Sequence, residues 1–217
     1  MSTELTAREA RVIGCLMEKA VLTPDQYPLT LNALTNACNQ KSSREPVMAL
    51  EPGEVQQTIR SLEAKHLVRT EQNFRSQVEK YTHRFCNTPF SDYQFDPAQL
   101  AIVCVLLLRG PRTPGELRAN SGRLHEFEDN AAVVAALQTL LDYDGRPLIV
   151  ELPRAPGRRD SEYAHLFSGP VDVDTLVAAR PRPVVTARSD DLLQRIEALE
   201  TEVASLKELI KKGAVSD

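Results

Sequence analysis

The chain has 217 residues, of which 42% are hydrophobic, so it can build one or two packed cores, yet it lacks the run of about 18 apolar residues that spans a bilayer. Its formal net charge of −4 excludes a protein that is basic over its whole surface, and any nucleic-acid site has to be a local patch. The cysteines are far apart without C-x-x-C spacing, so we expect a cytoplasmic protein with no metal and no other cofactor. Cys15 and Cys104 fall within apolar helical patterns, and we interpret them as buried thiols.

Residues 1–94 are predicted to hold three helices and then a hairpin, which is the element order of a winged helix-turn-helix domain. Thr6, with a glutamate three residues later, has the pattern of a capping box that begins the first helix. Two prolines interrupt the helical pattern, and Thr30 is placed to cap the second helix. The third helix is predicted over about residues 52–65 from its apolar spacing. The segment HLVRTEQNFRSQVEKYTHRF then reads as two β-prone runs around a polar centre.

Residues 95–170 are predicted to repeat this order, which indicates a duplicated winged-helix domain. Asp96 is placed to cap a helix whose centre, LAIVCVLLL, is apolar on nearly all sides. Thr113, with a glutamate three residues on, begins a short second helix, and the third is predicted over residues 130–143. The segment PLIVELPRAPGRRDSEYAHLF supplies a second hairpin. A three-helix pattern can also match another by chance, and this alternative stays open.

The C-terminal part of the chain is predicted to be a linker, residues 171–188, followed by a helix over residues 189–212. The proline-rich sequence RPRPVV cannot continue a helix. Beyond it, β-branched residues and leucines alternate at spacings of four and three, a heptad repeat that favours a parallel two-stranded coiled coil and hence a homodimer. These dimerisation residues are Leu192, Ile196, Leu199, Val203, Leu206 and Ile210. The alternative is that this helix packs back on its own domains.

The third helix of the first domain is the candidate reader of double-stranded DNA, because this helix enters the major groove in helix-turn-helix proteins. Its face opposite the core stripe carries arginine and glutamine, which can pair with guanine and adenine. The candidate base-facing residues are Gln56, Gln57, Arg60 and Ser61, and the candidate phosphate contacts are Lys41, Arg44, Arg69, Arg75 and Lys80. Against this, Glu51 and Glu54 at the start of the helix would repel phosphate, and basic and acidic side chains are equal in number over residues 1–95.

The corresponding face in the second domain is a poor reader of DNA. It presents Ala135, Gln138 and Asp142, and three carboxylates precede its helix. We expect this face to pack against the first domain or against a protein partner. The chain contains no H-x-x-x-H pair, no G-x-S-x-G and no P-loop sequence, and we therefore expect no enzymatic activity.

The run REARVIGCLMEKAVLTPDQYPLTLNALTNACNQKSSREPV closely resembles the start of the YceH-like family of bacterial proteins. The likeness covers roughly residues 3–170, and TPDQYPLTLNAL and ACNQKSSREPV are its most specific stretches. The resemblance implies a tandem winged-helix fold and a bacterial cytoplasmic source, and it implies no activity and no binding residue. The loop NQKSSR within it either binds an anion such as the phosphate backbone or satisfies its own backbone groups.

The sequence therefore predicts a mainly α-helical fold with small β-hairpins, of the α+β class, in two tandem winged-helix domains with a C-terminal coiled-coil helix. The leading functional hypothesis is a dimeric DNA-binding or transcriptional regulatory protein. The alternative is a scaffold that uses tandem winged helices to bind proteins without binding DNA.

Overall fold

The computed structural model describes residues 4–72, 78–89, 91–154 and 158–171, together with Val203. The chain divides into two compact units, Met1–Val173 and Asp174–Asp217, and the helices and strands below belong to the first. These elements form helices and small antiparallel sheets, which confirms the predicted α+β class. None of the helices in these ranges is long and apolar enough to cross a membrane.

The element order within Met1–Val173 runs twice through three helices and a pair of strands. In the first half, which we define as residues 4–94, the elements are α1 (Ala7–Leu22), a 3-10 helix (Pro24–Gln26), β1 (Leu29–Thr30), α2 (Leu31–Cys38), α3 (Pro52–Ala64), β2 (Val68–Gln72) and β3 (Glu79–His83). In the second half, residues 95–171, they are α4 (Pro97–Arg109), α5 (Pro114–Ser121), α6 (Asn130–Leu141), β4 (Ile149–Glu151) and β5 (Tyr163–His165).

Reciprocal capping fixes where the helices begin. The Thr6 hydroxyl accepts a hydrogen bond from the Glu9 backbone, and the Glu9 carboxylate accepts one from the Thr6 N–H at 2.7 Å. Thr113 forms the same capping box in α5, and Asp96 does so in α4 with a glutamine as its partner. Each box satisfies backbone donors that the first helical turn leaves unpaired. The predicted starts of these helices are confirmed.

The first half carries a three-stranded antiparallel sheet in the order β1-β3-β2. Tyr81 in the middle strand is opposite both Leu29 of β1 and Thr70 of β2, and its side chain is buried on the inner face. The predicted hairpin is confirmed, and β1 is added to it. A strand of two residues has no alternation for a sequence pattern to reveal. In the second half, β4 and β5 pair antiparallel as a two-stranded sheet.

The core is continuous across the two halves, and α4 lies at its centre. Every residue from Ala101 to Leu108 is buried, as expected for a helix that is apolar on all sides. Helix α4 packs on α1. Their backbones approach closely at Gly14, whose carbonyl accepts a hydrogen bond from the Cys104 thiol at 3.5 Å. The predicted burial of Cys15 and Cys104 is confirmed.

Gly14 is the position where α1 tolerates no side chain. A Cβ built there would lie 2.8 Å from Leu108 Cδ2 and 3.2 Å from Leu107 Cβ. We expect Gly14→Ala to lower the free energy of unfolding by up to about 2 kcal/mol, because an overpacking cost of about 1–3 kcal/mol outweighs the gain of about 1 kcal/mol in helix propensity. Urea unfolding measures this change.

Gly53→Ala is the matched control for that substitution. Gly53 is also helical, in α3, but nothing lies within 4 Å of a Cβ built on it. We expect this variant to be neutral or more stable by up to about 1 kcal/mol. If Gly14→Ala had the same free energy of unfolding as Gly53→Ala, this result would contradict the close approach of α1 and α4.

Further contacts join the two halves away from this helix pair. The Leu5 N–H donates to the Phe167 carbonyl at 2.7 Å, and the rings of Phe85 and Phe167 meet edge to face with centroids 5.0 Å apart. The Glu45 N–H donates to the Leu108 carbonyl at 2.9 Å. The two halves therefore share one folded body. The predicted domain boundary between residues 94 and 95 stays a prediction.

Two of the sequence predictions lie largely or wholly outside the described residues. The linker and heptad helix predicted over residues 171–212 are described only at residue 171 and at Val203. Val203 has helical backbone geometry and a side chain that is 47% exposed. The tip of the first hairpin, with Arg75, also lies outside the described residues.

Candidate nucleic-acid interface

Helix α3 places the candidate base-facing residues. Its stripe of Val55, Ile59 and Leu62 is buried in the core, which confirms the predicted inner face. Gln57 and Arg60 are exposed on the opposite side. Neither side chain has a hydrogen bond or ion pair within the described residues, so both are available to an external group.

The other two candidate base-facing residues are placed differently. Gln56 is half-buried and lines the groove described below. The Ser61 hydroxyl donates to the Glu9 carboxylate at 2.8 Å, beside an ion pair of the same length between Lys65 and Glu9. Ser61 is thus directed toward α1, and its hydroxyl joins the two helices.

The start of α3 is acidic, as the sequence predicted. Glu51 precedes the helix, and its N–H donates to the Glu54 carboxylate at 2.9 Å. Arg8 of α1 forms an ion pair with Glu54 at 2.8 Å. Both partners are partly exposed, so this pair contributes little stability, but it offsets one of the two negative charges near the helix start. The carboxylate of Glu51 is exposed, and this ion pair does not offset its negative charge.

A shallow groove of about 500 Å³ lies between the start of α2, helix α3 and the first hairpin. Its lining is polar, with a single carboxylate and no cationic side chain: Thr30, Leu31, Asn32, Gln56, Gln72, Val78, Glu79 and Tyr81. The Tyr81 hydroxyl donates to Glu79 at 3.0 Å, and burial together with this hydrogen bond raises the pKa of Tyr81 to about 12. The phenol is therefore neutral at physiological pH. The groove offers donors and acceptors to a macromolecule that covers it.

Three candidate cations lie on the first hairpin and on the loop that precedes α3, and none of them lines the groove. Lys41, Arg69 and Lys80 are exposed and form no ion pair within the described ranges. Arg69 and Lys80 share the outer face of the sheet, where Lys80 is directly opposite Glu71. Glu71 therefore partly offsets the charge of Lys80. These three residues occupy the exposed positions expected of phosphate contacts.

Arg44 is buried, in contrast to the exposed position that a phosphate contact requires. It is 5% exposed, and its guanidinium donates to both carboxylate oxygens of Glu18, at 3.0 and 2.6 Å. It also donates to the Ala37 carbonyl at 3.0 Å. Burial raises the pKa of Glu18, but the hydrogen bond and charge of Arg44 outweigh burial, so that the pKa lies below its ordinary value. Arg44 therefore anchors the loop between α2 and α3.

Arg11 and Asn39 complete the anchoring of this loop. Arg11, buried in α1, donates to the Cys38 carbonyl at 3.1 Å and to the Pro46 carbonyl at 2.6 Å. The Asn39 amide pairs with both backbone groups of Leu50 at 2.8 Å. These contacts support the interpretation that the NQKSSR loop satisfies its own backbone groups. The sequence contained one signal of the buried charges, because Arg11 and Glu18 are seven residues apart on one side of α1.

The second half presents a different surface at the corresponding helix. Ala135, Gln138 and Asp142 are exposed. The twelve residues of α6 include no charged side chain. On the second hairpin, Arg158 forms an ion pair with Glu162 at 2.6 Å. This helix lacks the exposed arginine of α3.

Both hairpins end in the pattern Tyr-x-His-x-Phe, at residues 81–85 and 163–167. Burial lowers the pKa of His83 and of His165 to about 4. The Nδ1 atom of each ring is buried and has no hydrogen-bond partner among the described residues. This repeated motif was not identified from the sequence. Its signal was available, because the two segments match at three alternate positions.

No group of histidine, cysteine, aspartate and glutamate side chains in the described ranges is arranged to hold a metal ion.

A family model described as "Protein of unknown function, DUF480" matches residues 5–158. A UPF0502 protein of Cronobacter sakazakii is 49% identical over 211 residues, which cover 97% of this chain and 96% of that protein. The UPF0502 protein YceH of Salmonella paratyphi B is 50% identical over 208 residues, with 96% and 95% covered. A UPF0502 protein of Pectobacterium carotovorum is 50% identical over 207 residues, with 95% and 96% covered.

Proposed function

Because the chain belongs to the family described as "Protein of unknown function, DUF480", whose name supplies no activity, we propose from its geometry that it is a dimeric DNA-binding regulatory protein. In this proposal the two halves are tandem winged helix-turn-helix domains. The repeated element order, the Tyr-x-His-x-Phe pattern in both hairpins and the contact between Phe85 and Phe167 support a duplicated domain. The first domain binds DNA and the second supports it.

The observation that carries the proposal is the outer face of α3, where Arg60 and Gln57 have no partner within the described residues. Arginine can donate two hydrogen bonds to guanine and glutamine can pair with adenine in the major groove. Gln56 extends this face toward the groove. Lys41, Arg69 and Lys80 are the phosphate contacts that remain in the proposal, together with Arg75, which lies outside the described residues. Ser61 and Arg44 make no contact with DNA in this proposal, and they contribute by stabilising the fold.

Arg60→Ala is expected to weaken binding to the preferred DNA by about 5- to 150-fold, which corresponds to about 1–3 kcal/mol for a lost contact to a base. The preferred DNA is first enriched from sheared DNA of the source genome on immobilised wild-type protein at low ionic strength. Fluorescence anisotropy on the enriched fragment then compares the variants.

Arg123→Ala is the matched control for Arg60→Ala. Arg123 is an exposed arginine of the second half and also has no ion pair within the described residues. It should leave the affinity within about twofold, since it lies outside the proposed contacts. The proposal is overturned if the wild-type protein binds no fragment in a salt-dependent way, or if both variants bind equally to the wild type.

Dimerisation through the heptad residues Leu192, Ile196, Leu199, Val203, Leu206 and Ile210 is the second part of the proposal. The exposed side chain and helical backbone of Val203 agree with a heptad core position that is open to a partner helix. A dimer of this kind would place two copies of α3 on two half-sites, so the preferred DNA should be a palindrome.

Deleting residues 189–217 is expected to convert a dimer into a monomer, because the deletion removes the whole heptad repeat. Light scattering coupled to size-exclusion chromatography measures the mass. The double substitution Leu199→Glu and Leu206→Glu should have the same effect in a full-length chain, since it places charges in the core of the coil. An unchanged dimer in both variants would contradict this assignment.

A second candidate function, a scaffold that binds proteins, is favoured by helix α6. This helix is without charge, and Val134 on its surface is 37% exposed. Exposed apolar side chains on a face of this kind are typical of protein interfaces. Crosslinking in the source cell, with both DNA and protein identified, separates the two functions. Crosslinks from α6 to one reproducible protein without crosslinks from α3 to DNA would favour the scaffold.

A further inference from the structure

Among the described residues that line the groove beside α3, Glu79 supplies the one carboxylate. Glu79 and Tyr81 are two residues apart on β3, so their side chains lie on the same face of the strand. Tyr81 is buried on the inner face of the sheet. The Glu79 side chain therefore extends toward the helices, and it lines the groove together with Gln56 of α3. Glu79 itself is exposed, so its carboxylate is accessible from outside.

Two neighbouring side chains hold this carboxylate in place. The Tyr81 hydroxyl donates to Glu79 Oε2 at 3.0 Å, and the Gln72 side-chain amide donates to Oε1 at 3.4 Å. Gln72 is directly opposite Glu79 in the pairing of β2 with β3. Each carboxylate oxygen can accept more than one hydrogen bond, so both keep capacity for an external donor. Because the side chain is already oriented, a donor that binds it meets a small entropic cost.

The charge of Glu79 is not offset by a cation in the groove. No lysine or arginine is among the described residues that line it, and Glu79 forms no ion pair within the described ranges. Lys80 is the next residue, but strand alternation places its side chain on the outer face of the sheet. An exposed carboxylate without a cationic partner repels phosphate. A group of DNA that enters the groove therefore has to be a hydrogen-bond donor and not a phosphate.

Arg60, which carries the proposed contact to guanine, is a neighbour of this carboxylate. It follows Gln56 by four residues on α3, so the two side chains lie on one face of the helix, one turn apart. Its positive charge also acts on the Tyr81 hydroxyl, in the direction opposite to burial and to the Glu79 hydrogen bond, which together raise the pKa of Tyr81 to about 12. A donor of hydrogen bonds, Arg60, and an acceptor, Glu79, are thus presented on the same side of the first half.

The four bases differ in what they offer to a carboxylate in the major groove. Cytosine presents its N4 amino group, from which glutamate can accept a hydrogen bond. Guanine and thymine present carbonyl oxygens, which a carboxylate repels. Adenine presents an amino group beside the acceptor N7, so it is less favourable than cytosine. A fixed carboxylate beside a helix that enters the major groove therefore favours cytosine.

We propose that Glu79 is a specificity-determining residue whose carboxylate accepts a hydrogen bond from the amino group of a cytosine next to the guanine that Arg60 contacts. This inference rests on the proposed DNA-binding function and adds to it a second base and the residue that selects this base. Replacing that cytosine with thymine should weaken binding by about 5- to 150-fold.

The test is a selection of DNA from a random-sequence pool on the full-length protein, followed by sequencing. The wild type should show one position with a strong preference for cytosine next to a preferred guanine. Glu79→Gln keeps the length of the side chain but donates as well as accepts, and glutamine pairs with adenine. In this variant adenine should bind at least as well as cytosine at that position, while the preference for guanine remains.

Fluorescence anisotropy on two duplexes, with cytosine or thymine at this position, measures the effect directly. The wild type should distinguish the duplexes by about 5- to 150-fold and Glu79→Gln by less than about twofold.

Glu71→Gln is the matched control. Glu71 is an exposed glutamate of β2 in the same sheet, but it does not line the groove. Both variants remove one negative charge, so a general gain in affinity for DNA should appear in both, whereas Glu71→Gln should keep the wild-type base preferences.

Three results would overturn the proposal, and one of them is distinct from the others. If Glu79→Gln binds every duplex more tightly but keeps the wild-type base preferences, Glu79 is only a repulsive surface charge. If the wild type binds DNA in a salt-dependent way but prefers no cytosine, the inference also fails. In both cases the proposed DNA-binding function still stands. If the wild type shows no salt-dependent binding to any DNA, the proposed function fails together with this inference.

Discussion

Replacing Arg44 with alanine is expected to lower the free energy of unfolding by about 3–5 kcal/mol, the range measured when one partner of a buried ion pair is removed. The Arg44 side chain is 0% exposed and that of Glu18 is 10% exposed. Removing the guanidinium leaves the Glu18 carboxylate in the core with Lys19, at 3.2 Å, as its remaining ion-pair partner among the described residues. It also leaves the Ala37 carbonyl without this donor.

Lys41→Ala is the matched control for Arg44→Ala. Lys41 is a cation of the same loop, but it is exposed and has no ion pair within the described residues. Its removal should change the free energy of unfolding by less than about 0.5 kcal/mol. Urea unfolding of both variants measures the difference. Equal midpoints for the two variants would show that Arg44 is not buried in solution.

A double variant separates the cost of the unpaired charge from the loss of packing. Arg44→Met together with Glu18→Gln removes both charges and keeps side chains of similar length. Replacing a buried ion pair by uncharged groups of similar volume is often neutral or stabilising. The double variant should therefore be more stable than Arg44→Met alone.

Lowering the pH from 7 to 5 is expected to reduce the free energy of unfolding by about 4 kcal/mol, with about 2 kcal/mol from each of His83 and His165. Burial lowers the pKa of both rings to about 4, from an ordinary value of 6.5. Between these two values the unfolded chain binds protons that the folded chain does not. Stability is therefore fully present above about pH 6.5 and is lost as the pH falls toward 4.

The carboxylates change the free energy of unfolding at lower pH than the histidines do. The pKa of Glu9 and that of Glu18 lie below the ordinary value of 4.5, because hydrogen bonds and nearby cations outweigh burial. Their contribution to stability is present above pH 4.5 and is lost below it, as the pH falls through the folded pKa. The range from pH 7 to pH 5 thus reports mainly on the two histidines.

Urea unfolding at several pH values between 7 and 5 checks this prediction. The double variant His83→Gln and His165→Gln should lose most of the pH dependence, whatever its stability at pH 7. Each single variant should lose about half of it. A wild-type stability that is constant over this range would show that the rings are solvated or paired in solution.

The helix starts were predictable from the sequence because they depend on contacts within four residues. Thr6, Asp96 and Thr113 each begin a helix through a side chain three residues away, and such pairs are visible as a pattern. The inner stripe of α3 was predictable for the same reason. The outward position of Arg60 followed from the stripe by helical geometry alone.

The positions of Arg44 and Ser61 were not predictable, because each depends on a partner far away in the chain. Arg44 meets Glu18, 26 residues earlier, and Ser61 meets Glu9, 52 residues earlier. A polar loop residue is usually solvated, and no local pattern distinguishes one that turns inward. The close approach at Gly14 belongs to the same class, since its neighbour Leu108 is in the other half.

The hydrogen bond from Leu5 to Phe167 connects nearly the first described residue of the folded body to nearly the last. During synthesis, α1 leaves the ribosome long before α4, against which it packs, has been made. The apolar surface that α4 will cover therefore stays open while about a hundred more residues are added, at about 5–20 residues per second. The N-terminal half therefore exposes this apolar surface of α1 until the C-terminal half has been synthesised. A chaperone that shields α1 for several seconds would cover this interval.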